Sequence, residues 1–272
     1  MTGDAQGKLR RLNQADLQAA LQLSAQAGWN QTADDWRMLL ELAPHSCLAI
    51  EVEGELAATT TLLSYGPRLA WIGMVLTKKE FQGRGLARRL LSEALKLADE
   101  MNVETVKLDA TDQGKHLYEK SGFHVEQSVE RWSRNGIGCE VHSPNITPKE
   151  WHEADQEAFG ADRSKLLAKL AERNSPSCLA KSFLLCRAGM KTAYLGPCVS
   201  ADPQSAHILI ERFVQSTEAA ISWDLLSQNH EATAIAKDFG FAPQRHLTRM
   251  VRGKDLGAKE NSVYALAGFE FG

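Results

Sequence analysis

The chain repeats itself, and that repetition constrains its fold more than any other feature. Leu108-Asp109 is followed by Gly122-Phe123 and then Arg131-x-x-Arg134, and Trp223-Asp224 is followed by Gly240-Phe241 and then Arg249-x-x-Arg252. Phe123 to Arg131 and Phe241 to Arg249 are each eight residues apart. Upstream, Trp71-Ile72-Gly73 matches Tyr194-Leu195-Gly196. A period of about 120 residues is too long for a solenoid unit and predicts a duplicated domain. The 272 residues fit this, since each half is long enough to bury its own core. The stretch Asn135–Pro148 holds two Gly, two Pro and two Asn and reads as a linker, so the expected domains are residues 1–138 and 139–272.

Composition removes several classes of function. Hydrophobic residues at 43% and charged residues at 24% are ordinary globular values, which excludes a disordered or fibrous chain. A net charge of −3 provides no basic field for nucleic acid or anionic lipid. No apolar run approaches the roughly 18–20 residues that span a bilayer, and Met1–Gly7 is polar, so a cytoplasmic location is expected. Cys47, Cys139, Cys178, Cys186 and Cys198 are odd in number without a C-x-x-C pair, and read as small apolar fillers. His45, His116 and the other histidines lack metal-ligand spacing, so no metal is expected.

Strands and helices alternate in both halves. In the first, strands are expected at Lys8–Leu12, Cys47–Glu53, Leu56–Tyr65, Leu69–Leu76 and Thr105–Leu108, with helices at Gln14–Ala27, Asp34–Leu42, Leu86–Met101 and Gly114–Ser121. Asn13 and Thr32 are the expected N-caps, and Leu86, Leu90, Leu91, Ala94, Leu95 and Ala98 form one apolar helix face. In the second, helices are expected at Lys149–Phe159, Arg163–Arg173, Pro203–Gln215 and His230–Phe239, and strands at Ser182–Arg187, Thr192–Leu195 and Ala220–Leu225. The fold class is therefore α/β (α+β).

Between the strand ending at Leu76 and the helix opening at Leu86 lies a polar, glycine-rich turn, Thr77–Gly85. Free backbone N–H groups at a helix start, approached closely through glycine and helped by Arg84, suit a pyrophosphate. Gln82-Gly83-Arg84-Gly85-Leu86-Ala87 resembles the Q/R-x-x-G-x-G/A signature of the GNAT acetyltransferases. Leu117-Tyr118-Glu119-Lys120-Ser121-Gly122-Phe123 resembles that family's second signature, L-Y-E-K-x-G-F. The resemblance covers roughly residues 8 to 135. It implies a mixed, twisted sheet flanked by helices, with acetyl-coenzyme A between two strands that splay apart. Its pyrophosphate would lie on Gln82, Gly83, Arg84, Gly85, Leu86 and Ala87, and its pantetheine beside the backbone of Met74, Val75 and Leu76. One departure stands out: where the family commonly has N-x-x-A, this chain has Thr111-x-x-Gly114. Thr111 can still make a hydrogen bond, so both positions remain candidates for cofactor binding.

The activity this implies is direct transfer of acetyl to a primary amine, with Tyr118 as general acid toward the departing thiolate. A backbone N–H at the splayed strand suits the negative charge developing on the thioester oxygen. The strand Leu69–Leu76 contains no carboxylate, so the base is open among Asp109, Asp112 and a water relay. Asp109 is the nearest candidate in sequence. Trp29 and Asn30, in the break between the first two helices, are candidates for the acceptor pocket; Trp36 reads as packing. The expected acceptor is a small-molecule amine. A protein or peptide amine, or coenzyme A binding without turnover, are the alternatives.

The second copy keeps the scaffold and loses the chemistry. Asn229 falls on Thr111, Ala232 on Gly114 and Ala236 on Tyr118. The segment Ser200–Ala206 replaces the glycine loop, with Pro203 where free N–H groups are wanted. This half resembles the C-terminal domain of two-domain bacterial GNAT proteins through Asp155-x-x-x-Phe159-Gly160-Ala161-Asp162-Arg163, Gly196-Pro197, Arg249-Met250 and Tyr264–Phe269. The resemblance implies a degenerate domain that helps form the acceptor site or completes the sheet. Asp224 and Asn229, with Arg249, are candidate acceptor-site residues, the alternative being a strand-end cap, a helix cap and a surface ion pair that maintain the repeat.

Overall fold

The structure, a computed structural model, describes residues 7–136 and 151–272. The expected linker lies outside the described residues except for Asn135 and Gly136, as does Cys139. Two compact units divide the chain, residues 1–107 and 108–272.

The first unit runs β1 (Lys8–Arg11), α1 (Leu17–Gln26), α2 (Ala33–Leu42), β2 (Cys47–Val52), β3 (Glu55–Tyr65), β4 (Leu69–Thr77), α3 (Leu86–Glu100) and the start of β5 (Thr105–Ala110). The expected caps form: Asn13 accepts from Ala15 N, and Thr32 accepts from Asp35 N with the Asp35 carboxylate returning the bond. The sheet is antiparallel from β1 through β4, and β4 then meets β5 in parallel. β3 and β4 are buried at nearly every position, as strands covered on both faces are. The buried stripe of α3, Leu86, Leu90, Leu91, Ala94 and Ala98, packs on β2, β3 and β4. Trp36 is fully buried, its Nε1 donating to Ser24 Oγ at 3.2 Å, and so ties α2 to α1 as read.

The second unit holds the end of β5, α4 (Asp112–Glu119), β6 (His124–Arg134), α5 (Trp151–Phe159), α6 (Ser164–Ala171), β7 (Ser177–Leu179), β8 (Ser182–Arg187), β9 (Ala193–Val199), α7 (Pro203–Gln215), β10 (Ile221–Leu226), α8 (His230–Asp238), β11 (Ala242–Gly253) and β12 (Val263–Ala265). Its strand order is β11-β6-β10-β9-β8-β7, with β12 added on β9, and β11 neighbours β5. Trp132, Trp223, Leu195 and Phe241 form its core with the buried faces of α7 and α8.

β6 and β11 depart most from the sequence reading. They are strands of 11 and 12 residues where none was expected. Their polar residues hid them. Arg131 and Arg249 point into the protein, so the apolar alternation that marks a strand is missing. β6 pairs with β10 along Val129–Arg134 and with β11 from His124 to Ser133. The last strand of the first repeat therefore sits in the sheet of the second, and the unit division falls inside β5.

Candidate active site

The glycine loop lies wholly in the first unit. Gly83 and Gly85 adopt φ of +76° and +80°, which side chains rarely tolerate. A Cβ on Gly83 would meet nothing within 4 Å, so the main chain is open there to a ligand. Gly85 is the N-cap of α3 and supplies no side-chain cap; no acidic residue stands in the first turn. That leaves first-turn N–H groups and the positive helix end facing outward. Arg84 lies over the Phe81 ring at 5.0 Å, with Nη2 donating to Glu80 O, and Gln82 Nε2 donates to Thr77 O. The loop is braced from its own side chains and fits a pyrophosphate.

Just before it, β4 leaves the regular ladder. Thr59 opposes Leu76 while Thr61 opposes Gly73, so β4 carries an extra residue. Met74 takes a left-handed φ of +50° inside this bulge, and Thr59 Oγ1 donates to Met74 O at 2.8 Å. Pairing of β4 with β5 stops at Trp71 and Lys107. A strained bulge where pairing ends re-aims backbone groups out of the sheet. Met74 and Val75 lie in this bulge, and Leu76 follows where pairing with β3 resumes.

In the second unit, Thr111 caps α4, its Oγ1 accepting from Gly114 N at 3.2 Å. Tyr118 lies near the end of α4, 7% exposed, its ring edge-on to Phe123 at 6.0 Å between centroids. Burial pushes its phenol well above the ordinary value, so it holds its proton through the neutral range. Gly114 keeps that ring in place: a Cβ there would come within 3.1 Å of Tyr118 Cε2. Asp109 and Asp112 have different surroundings. Asp112 is exposed on the first turn of α4. Asp109 has a fully buried side chain, and both its oxygens accept from Arg249, Oδ1 from Nε at 2.9 Å and Oδ2 from Nη2 at 3.0 Å. A carboxylate committed to a guanidinium in this way is built to anchor, not to take a proton.

Two family models match, "Acetyltransferase (GNAT) family" over residues 14–123 and "Acetyltransferase (GNAT) domain" over residues 152–265. The chain belongs to the GNAT acetyltransferases. Over 97% of its length it is 25% identical to the uncharacterized N-acetyltransferase YitH of Bacillus subtilis, covering 98% of that protein. A crystal structure of a protein from Pyrococcus horikoshii shares the fold with a TM-score of 0.82 at 23% identity, covering 97% of this chain and 95% of that one. A tandem GNAT protein from the clavulanic acid biosynthesis pathway aligns with a TM-score of 0.60 at 15% identity, over 90% of this chain and 98% of that one. The protein is thus a tandem GNAT and an acetyl-CoA-dependent acyltransferase.

The second GNAT copy fills the corresponding places with its own chain. Asp202 caps α7, accepting from Ser205 N at 2.8 Å, and Pro203 removes another N–H. A carboxylate therefore already occupies the helix end that Gly85 leaves bare in the first copy. β9 and β10 pair in parallel only as far as Leu195 and Trp223. Beyond that point β12 takes the free edge of β9, Val263 opposite Val199 and Ala265 opposite Cys198. Trp223 Nε1 donates to Tyr264 O, and Leu266 N donates to Asp224 O. By the repeat alignment Cys198 and Val199 correspond to Val75 and Leu76, the residues expected to face pantetheine. The close fit requires Gly196, where a Cβ would collide with Leu266 O.

Asn229 and Asp224 belong to this internal packing. Asn229 caps α8 through Ala232 N and donates to Asn261 O and Val263 O. Both Asp224 oxygens accept from Arg131 at 2.7 Å, and Arg131 lies over the rings of Tyr194 and Phe269. Both side chains are buried and their observed bonds go to the protein's own groups rather than to open space. Sequence reasoning missed β12 as a strand, because three residues gain that status only from the partner they pair with. The cap was legible: Asp202-Pro203 is a helix-start signature. In the first unit, Trp29 is partly exposed and Asn30 is buried in the break between α1 and α2.

Proposed function

We propose that this protein transfers the acetyl group of acetyl-CoA to the primary amine of a small molecule, with all the chemistry in the first GNAT copy. The observation that carries this is the contrast between the two loops. Gly83 and Gly85 open one helix end to an anion, while Asp202 and Pro203 close the other. Gln82–Ala87 would hold the pyrophosphate, and Met74–Leu76 the pantetheine by main-chain bonding. Acetyl-CoA supplies an activated thioester. A backbone N–H of the β4 bulge stabilises charge on the thioester oxygen. Tyr118 gives its proton to sulfur as the carbon–sulfur bond breaks and the carbon–nitrogen bond forms. The proton of the amine leaves through water, since Asp109 is engaged by Arg249. Trp29 and Asn30 form part of the acceptor wall.

Thiol release from acetyl-CoA, measured across a panel of small amines and of peptides with free amino groups, tests the reading. Turnover with small amines is the expected result. Turnover with peptides alone would replace the acceptor class. Tight coenzyme A binding with no amine-dependent release would leave a binding protein instead.

A further inference from the structure

Both repeats end in a strand with Arg-x-x-Arg, and each of these arginines serves the other repeat. Arg131, on the last strand of the first repeat, holds Asp224 of the second. Arg249, on the last strand of the second, holds Asp109 of the first. Arg134 Nη1 donates to Phe239 O, the C-cap of α8, at 2.7 Å, and Arg252 lies beside Gly122 at the end of α4. All these contacts lie within the second unit.

The two buried pairs have matching chemistry but lead to different helices. Asp109 stands two residues before Thr111, the N-cap of α4, and α4 carries Tyr118 and packs on β11. Asp224 stands before Asn229, the cap of α8, where Ala236 replaces the phenol. At eight residues, α4 is too short to hold itself in place, so tertiary anchors decide where its side chains sit. A bidentate guanidinium fixes both the position and the rotation of the strand end that feeds the helix. Catalytic groups lose activity steeply when misplaced by about 1 Å.

We propose that Arg249 is a positioning residue for the Tyr118 phenol, acting through Asp109 and the start of α4. The second repeat thereby completes the first repeat's acid. This inference rests on the reading of Tyr118 as acid, and its test separates the two.

The full chain is labelled with 3-fluorotyrosine; it has four tyrosines, and Tyr118→Phe assigns the Tyr118 signal. The double variant Asp109→Leu/Arg249→Met removes both charges of the pair together, which avoids leaving either member buried without the other. The fluorine signal of Tyr118 is expected to shift or broaden in it. With an amine turned over by the wild type, kcat should fall at least about tenfold at a KM for acetyl-CoA within about twofold. The mirror variant Asp224→Leu/Arg131→Met should move the Tyr194 signal and leave the Tyr118 signal and kcat in place. Arg249→Lys against Arg131→Lys repeats the comparison with charge retained and the bidentate geometry lost. Equal effects of the mirror variants on Tyr118, or an unmoved Tyr118 signal without the Arg249 pair, overturn the proposal. If Tyr118→Phe keeps wild-type kcat, the acid reading falls, while the fluorine comparison still judges the clamp.

Discussion

At the residue scale, the absence of a side chain matters at two glycines and its presence at one phenol. Gly85 sits at φ +80° at a helix end with no capping side chain. Gly85→Glu brings bulk and negative charge to that end, so coenzyme A affinity by calorimetry should fall at least about tenfold, roughly 1.4 kcal/mol or more. Gln204→Glu, on the helix already capped by Asp202, should leave it unchanged; equal losses would refute a single live loop. Tyr118→Phe should lower kcat by roughly 10²-fold or more in thiol-release kinetics at a nearly constant KM for acetyl-CoA. Gly114→Ala is a finer probe, since its Cβ would press on the Tyr118 ring from 3.1 Å. The expected outcome is a kcat lower by roughly two- to fivefold with no loss of thermal stability, because alanine favours the helix by about 1 kcal/mol. An unchanged kcat would mean that the ring yields freely.

At the scale of elements, the legible parts were those whose pattern is local. The α3 stripe, the Asn13 and Thr32 caps and the glycine turn depend on neighbours in sequence; the structure has the stripe except for the half-buried Leu95, and both caps, with Asn13 capping a 3-10 turn that leads into α1. β6, β11 and β12 depend on distant partners. Arg131 and Arg249 look like surface charges until Asp224 and Asp109 are known to wait for them in the sheet. The same limit applied to Asp109 and Asn229, whose residue types suit chemistry but whose hydrogen bonds are spent on packing. Asp202 gives a test at this scale. Backbone N–H donation from Ser205 holds its carboxyl below the ordinary 3.8. A depressed folded pKa contributes stability that is present above the unfolded value and lost as pH falls through the folded one. Asp202→Ala should therefore lower stability by about 1 kcal/mol at neutral pH and by progressively less below pH ~4, in denaturant titrations. Coenzyme A affinity should not change. A variant that gained affinity for a second coenzyme A would show instead that the carboxylate alone blocks the site.

For the molecule as a whole, duplication would ordinarily double the number of sites, and here the second copy spends its site on its own chain. β12 lies where β9 and β10 part, and the C-terminal segment beyond β12 is fastened by buried groups. Arg187 pairs with Glu270 and donates to Ala267 O, and Arg163, paired with Asp155, donates to Gly272 O. Releasing the segment would separate the buried Arg187–Glu270 pair, at a cost of about 3–5 kcal/mol, and take from Arg163 its bond to Gly272 O, leaving it paired with Asp155. A ligand at this place would have to supply that energy before making any contact of its own, which argues against coenzyme A binding there. The expected stoichiometry is one coenzyme A per chain, by calorimetry and by native mass spectrometry of the full-length protein, even at concentrations well above saturation. Two molecules per chain would show that the segment opens. Removing one of its anchors gives a further check: Arg187→Met/Glu270→Leu should leave the stoichiometry at one, because Trp223, Asn229 and the β9 edge still hold β12 in the cleft.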